Sequence, residues 1–502
     1  MPFNPNDATT YYNLGNAKYA LGNYEGAIAD YSEAIRLNPN DANAYSNRGS
    51  TKSDLGDREG AIADYSEAIR LDPNYAPAYY NRGNAKSDLG DKGGAIADYN
   101  KAILLNLNYA YAYYNRGNVR YYLGDKEGAI ADYSEAIRLD PNYAPAYYNR
   151  GNAKSDLDNY EGAIADFNEA IRLDPNYANT YYNRGNAKSN LGNYEGAITD
   201  YSEAIRLDLN DATAYYTRGI AKFILEDKEG AIADFNEAIR LDPNDATAYY
   251  TRGVARSNLG DNEGAIADYS EAVRLDPNDA IAYSNCGIAK YELGDNEGAI
   301  ADCNEAIHLN PNLLYPYWLL AVIWDKRFAD SQNPADLEQA ISAYGRAVAL
   351  SSEHQADIRE ALADAQYRLG IYYVQQGRWY DGLAQLQANL DYYRQTDNLE
   401  RRADVLAQIA RVQLLLGDWE KARLLYRDAL RIYCHINHKP GIANCRLALG
   451  RMMLHLGYLE DAQRELEMAS TLYAELESPR KAEADEVLQL VHQFQAKGVK
   501  VA

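Results

Sequence analysis

Three groups of side chains in this chain have the types and spacing that chemistry requires. The first is Cys434, His435, His438 and Cys445, four thiol and imidazole donors in one short stretch. Such donors hold zinc tetrahedrally. The spacing C-H-x2-H-x6-C fits no familiar finger, however. The register places Cys434 at the end of one helix and Cys445 inside the next, so convergence on a metal is not what the pattern favours. The second group is carboxylates recurring every 34 residues: Asp30, Asp64, Asp98 and Asp132, with Glu33, Glu67 and Glu135. They read as a solvated helix face carrying i, i+3 ion pairs such as Glu33–Arg36 and Glu67–Arg70. The third group is amides. Asn13, Asn47, Asn81, Asn115, Asn149 and Asn183 form one column at the same spacing. Asn16, Asn84, Asn118, Asn152 and Asn186 form a second, with Ser50 in one place. Tyr12, Tyr80, Tyr114, Tyr148, Tyr182, Tyr216 and Tyr250 stand beside the first column, with Ser46 in one place. An amide offers a donor and an acceptor together, so a row of them can grip a peptide backbone without reading its side chains. Tyrosine adds apolar area and a hydroxyl at modest entropy cost.

These residues are positioned by a repeat. Glu59–Leu89 recurs letter for letter as Glu127–Leu157. Nine units of 34 residues begin at Ala8, Ala42, Ala76, Ala110, Ala144, Ala178, Ala212, Ala246 and Ala280 and run to Leu313. Copying also explains the skewed aromatics, 47 Tyr against 6 Phe and 4 Trp. Each unit reads as two helices. In the third unit Tyr79, Gly83 and Lys86 share a face of the first helix, and Gly90 then supplies a left-handed turn. Asp91 caps a second helix whose stripe is Ala95, Ile96, Tyr99, Ala102 and Ile103. Asp-Pro-Asn closes most units. Asp158 and Glu226 replace the turn glycine, at an expected cost of up to about 1 kcal/mol each. Leu107 and Leu209 replace the closing proline, which either lets the second helix run on or is neutral drift. Cys286 and Cys303 read as small packing substitutes.

After Leu313 the register loosens. Residues 314–362 look like a divergent unit with an insertion around Asp330–Ala335. Residues 363–482 hold three longer units of 40 residues, marked by Gly377, Gly417 and Gly457. Ser478-Pro479 opens a last helix, Arg480–Ala496, so residues 483–502 form a terminal cap and tail.

The order aromatic, Gly, Lys, Gly, Ala, Tyr, Ala (Tyr79, Gly83, Lys86, Gly90, Ala95, Tyr99 and Ala102) resembles the tetratricopeptide repeat, over about nine-tenths of the chain. The resemblance implies an all-α fold, an α-solenoid of antiparallel helix pairs forming a right-handed superhelix, with first helices on the concave face. The Asn columns also resemble the asparagine ladder of protein O-linked N-acetylglucosamine transferases, which implies that Asn13 through Asn183 contact a bound peptide. No transferase sequence follows. The carboxylate clamp of chaperone-binding relatives needs Lys and Arg on this face. Here Tyr, Ser, Thr and Pro stand in those places, so that ligand is disfavoured. The columns keep a second reading: Asn recurs because units were copied, or bonds across neighbouring helices and stiffens the array.

Composition narrows the possibilities further. The chain of 502 residues is 47% hydrophobic with a net charge of −23, which excludes a disordered chain and disfavours nucleic acid and anionic membranes. Partners with basic character are expected. Four cysteines form no disulfide framework, and no signal peptide or membrane span is read, so a cytoplasmic, bacterial-type protein is expected. There is no phosphate loop, HExxH or G-x-S-x-G; neither catalysis nor a cofactor is expected. From residue 212 the columns turn to Tyr216, Thr217, Ile220, Phe223, Ile224 and Tyr250. This predicts a polar, backbone-reading section followed by an apolar pocket for an anchor side chain. The expected function is a non-catalytic scaffold that binds extended or disordered peptide segments during assembly of a multiprotein complex, with self-association open. The alternative is a signalling adaptor whose C-terminal array, locally basic at 401–450, senses a peptide or protein ligand.

Overall fold

The computed structural model describes residues 7–351 and 355–497, so Met1–Asn6 and the tail 498–502 lie outside the described residues. Among the described residues there are 27 helices and no strand. Within each unit of packing they come in antiparallel pairs stacked on their neighbours, as an α-solenoid requires. By packing, the chain divides into two compact units, 1–259 and 260–502.

Local chemistry sets each helix. In the second repeat the first helix is Ala42–Asp54 and the second Arg58–Leu71. Asp41 and Asp57 cap them, the Asp57 carboxylate accepting from the Gly60 N–H at 2.9 Å. Between the helices Gly56 takes φ +87, a conformation that glycine adopts without strain. Asp158 at φ +58 and Glu226 at φ +64 adopt the same turn with a side chain, as expected. Close approach uses a second glycine. A Cβ on Gly83 would lie 2.8 Å from the Tyr99 ring, so the two helices meet only because that atom is missing.

Leu107 and Leu209 do not lengthen their helices. The preceding helices stop at Leu105 and Leu207, in register with the proline-bearing units. The stop comes from the residue before: Asn106 is extended at φ −142, and its side chain accepts from the Asn108 N–H at 3.1 Å. Both leucines are left exposed. The insertion near Asp330 is absorbed by a longer helix, Leu314–Ser331, that ends in a left-handed Gln332. In the 40-residue units the added residues are shared, giving paired helices of 17 residues such as Leu399–Leu415 and Trp419–His435. Arg480–Ala496 forms the last helix where Ser478-Pro479 predicts it.

The recurring aspartates are not a solvated face. Asp30, Asp64, Asp98 and Asp132 are buried, as are Asp166, Asp200 and Asp234. A carboxylate this dry needs paired, hydrogen-bonded cations, and the first helix supplies them. Arg48 grips Asp64 with two bonds, 2.9 Å from Nε and 2.7 Å from Nη2, and Lys52 adds a third contact at 2.8 Å. The remaining arm of Arg48 donates to Ser32 of the preceding repeat at 3.1 Å. Arg82, Arg150 and Arg218 repeat this arrangement through Ser66, Ser134 and Ser202. The Glu–Arg pairs do lie outside: Arg36 meets Glu33 at 2.6 Å and Arg70 meets Glu67 at 2.5 Å.

Candidate functional site

The amide columns lie on adjacent first helices of the unit 1–259, within reach of one another. Asn47 donates from Nδ2 to the Asn16 carbonyl oxygen at 3.0 Å and to the Tyr12 hydroxyl at 3.0 Å. Asn115 does the same to Asn84 and Tyr80, both at 2.9 Å. Asn149 donates to Asn118 at 2.9 Å and Tyr114 at 3.0 Å, and Asn183 to Asn152 at 2.9 Å and Tyr148 at 3.0 Å. Second helices join from below. The hydroxyls of Tyr31, Tyr99, Tyr133 and Tyr201 donate to the carbonyl oxygens of Asn16, Asn84, Asn118 and Asn186. Burial raises the pKa of these tyrosines, that of Tyr31 to about 12.

The columns are thus first of all a ladder between repeats, and the ladder fixes which way each amide points. In the earlier column the NH2 is engaged, leaving the carbonyl oxygen outside the ladder. In the later column the carbonyl is engaged, and the NH2, which at Asn118 and Asn152 stands beside the Tyr114 and Tyr148 hydroxyls, keeps an amide hydrogen outside the ladder. The face therefore presents a row of acceptors beside a row of donors. Two cavities open on it. One of about 340 Å³ is lined by Asn84, Asn115 and Asn118 with Lys92 and Tyr122. The other, of about 240 Å³, is lined by Tyr114, Pro145, Tyr148, Asn149 and Tyr177.

Departures follow the sequence. Asn13 is exposed at the start of the array. Asn81 faces a repeat in which Ser46 and Ser50 replace Tyr and Asn; these side chains are shorter, and its amide forms no hydrogen bond among the described residues. Ser50 still accepts from the Tyr65 hydroxyl at 3.1 Å. After Asn186 the ladder ends. The Tyr182 hydroxyl lies 3.4 Å from that of Thr217, and Tyr216 lies 3.3 Å from Thr251. Ile220 and Phe223 pack against Phe235 and Ala255, filling the space that amides bridge elsewhere. Tyr250 is half-buried, and Ile224, at 46%, is exposed beside Leu225.

A further set of tyrosines lies outside the columns. Tyr75, Tyr109, Tyr143 and Tyr177 occupy first-helix N-cap positions where other repeats have Asp. The Tyr109, Tyr143 and Tyr177 rings lie 4.9 Å from Tyr80, 4.9 Å from Tyr114 and 5.1 Å from Tyr148. A Tyr at the cap of one repeat, one unit after a Tyr in the fifth place, is the signal that finds them.

Elsewhere, Cys434 is exposed while Cys445 is buried, with its thiol pushed up to about 12 by burial. His438 caps the helix Lys439–His455, its Nδ1 accepting from the Gly441 N–H at 3.1 Å. Among the described residues no three such donors converge on a metal position. No described helix is long and apolar enough to cross a membrane.

Comparison with known proteins agrees with this architecture. The family profile described as "TPR repeat" matches residues 15–56, 50–90, 117–158, 154–192, 190–224, 221–260 and 255–294. Two profiles described as "Tetratricopeptide repeat" match 361–435 and 76–109. No curated protein matches. Among solved structures, YrrB, "a TPR protein with an unusual peptide-binding site", is 26% identical, covering 38% of this chain and 97% of its own, with a TM-score of 0.35. MamA is 28% identical over 32% of this chain and 94% of its own, with a TM-score of 0.32. The C-terminal part of a TPR repeat-containing protein from Cytophaga hutchinsonii is 20% identical over 47% of this chain and 97% of its own, with a TM-score of 0.42.

Proposed function

Because the chain belongs to the tetratricopeptide repeat family, whose members serve in general as protein-interaction scaffolds, we propose that its ladder face binds extended peptide segments by their backbones. The observation that supports this reading is the fixed orientation of the amides. An extended peptide alternates N–H and C=O along its edge. The acceptor row (Asn47, Asn115, Asn149 and Asn183) and the donor row (Asn16, Asn84, Asn118 and Asn152) match that alternation. Their orientation is set before a ligand arrives, so less ordering is lost on binding. Tyr80, Tyr114 and Tyr148 flank the rows with apolar area. The section from Tyr216 to Tyr250 would hold an anchoring side chain at Ile224. The net charge of −23 favours segments that carry Lys or Arg. Binding several such segments at once would make the chain an assembly platform.

The test uses a natural precedent. Ser50 stands in the donor row and still takes the tyrosine hydroxyl, so Asn84→Ser and Asn118→Ser keep the Tyr99 and Tyr133 contacts, and with Asn152→Ser, which faces Phe167, they remove the amide donors at three of the four places in the row. Fluorescence anisotropy with a library of labelled, Lys-bearing extended peptides should show about tenfold or greater loss of affinity in this variant. N-methylation of alternate backbone nitrogens should weaken binding to the unaltered protein. Equal affinities in both comparisons would reduce the ladder to a device of repeat stacking.

A further inference from the structure

The ladder belongs to the unit 1–259; the unit 260–502 holds a cavity of about 800 Å³. It runs over the helices Leu399–Leu415 and Lys439–His455 to the start of Arg480–Ala496. Tyr426, Cys445 and Met452 form its buried floor. One wall is Trp419 stacked on His455, rings 4.2 Å apart and 13° from parallel. Three exposed arginines face the space, Arg411, Arg451 and Arg480, one from each of the three helices.

These arginines are not equivalent. Glu483 lies between two of them, 2.7 Å from Arg451 and 2.9 Å from Arg480. The cavity thus already demonstrates, with its own side chain, how it holds a carboxylate. Arg411 occupies the register of Arg451 one 40-residue unit earlier. It makes no ion pair or hydrogen bond among the described residues. The one other acid in the lining, Asp404, accepts from the Tyr433 hydroxyl. A neighbouring cavity of about 490 Å³, lined by Trp379, shares Gln408 and Arg411 with the first, so Arg411 stands where the two meet. A guanidinium with two cavities beside it and no partner is built to receive a planar anion.

We propose that this groove binds an acidic peptide segment of a partner protein, with a carboxylate on Arg411 and an adjoining apolar side chain against the Trp419–His455 stack. Such a segment is opposite in charge to the one expected at the ladder, so one chain would hold two dissimilar partners.

The test titrates the full-length protein against a fluorescein-labelled octapeptide, Asp-Glu-Leu-Asp-Glu-Leu-Asp-Glu, and against its counterpart with Lys at every acidic place. Anisotropy is read at low and high salt. The acidic peptide should bind and should weaken as salt rises. Arg411→Ala should lose about tenfold or more, and Arg411→Lys should recover part of it, because a point charge cannot form the paired bonds. The triple Asn→Ser variant of the ladder should bind the acidic peptide as the unaltered protein does, which separates this site from that one. Equal binding by Arg411→Ala, equal binding of the Lys peptide, or loss only in the ladder variant would each overturn the proposal. So would Arg411-dependent dimerisation in sedimentation without peptide binding, which would put a second copy of the chain in the groove.

Discussion

Asp166 receives two bonds from Arg150, at 2.9 and 2.6 Å, and one contact from Lys154 at 2.7 Å, while remaining only 4% exposed. Removing it strands two cations in a dry place. Asp166→Ala should therefore destabilise its repeat by about 3–5 kcal/mol. Glu169→Ala, which breaks an exposed pair with Arg172, should change stability by less than about 1 kcal/mol. Hydrogen exchange in the two variants checks both values. The contrast shows what was legible. Glu and Arg three apart on one helix announce their pairing within a single segment. The partners of the aspartate lie sixteen and twelve residues earlier, on another helix, and only the joint recurrence of Arg, Lys and Asp betrays them. Repeats one and nine carry Leu14 and Cys286 where the Arg belongs, and there the guanidinium is lost while the Lys contact stays, at 2.6 Å in each. The Asn columns were legible as columns. Which atoms of each amide are engaged was not, because that depends on the distance between neighbouring helices.

At the scale of the element, the turn between paired helices demands a left-handed residue, and ten glycines meet that demand. Asp158 and Glu226 meet it with a side chain that the backbone disfavours. Asp158→Gly and Glu226→Gly should each raise stability by up to about 1 kcal/mol, read as a higher denaturant midpoint. Each change also gives up a contact, Asp158 with the Tyr160 hydroxyl at 2.7 Å and Glu226 with the Lys228 ammonium at 3.2 Å, which trims both gains. The helices themselves were plain in the sequence, since period, cap and turn glycine agree in unit after unit. Less plain was what ends the second helix. Proline catches the eye there, yet the Asn or Asp before it does the stopping, which is why Leu107 is tolerated.

Across the whole molecule, small cores recur in place of one large centre, and most repeats of the 34-residue array bury one tyrosine or phenylalanine against a glycine. Burial holds Tyr31 and Tyr65 at about 12, against an ordinary value of 10.0. The unfolded chain releases these protons first, so stability is fully present below pH 10 and is lost as pH rises toward 12. Helical circular dichroism should hold to about pH 10 and fall between 10 and 12. Loss of signal well below pH 10 would mean that other groups govern the array. The two letter-for-letter copies carry a further consequence. The Arg82–Ser66 and Arg150–Ser134 contacts, at 3.1 and 3.0 Å, are interchangeable seams. Deleting residues 76–143 would join Tyr75 to Ala144 and set Arg150 against Ser66 with the same fit. Recombination between the duplicated stretches of the gene can therefore lengthen or shorten the array by whole units without exposing an unmatched surface, and the span it offers a ligand becomes a heritable length.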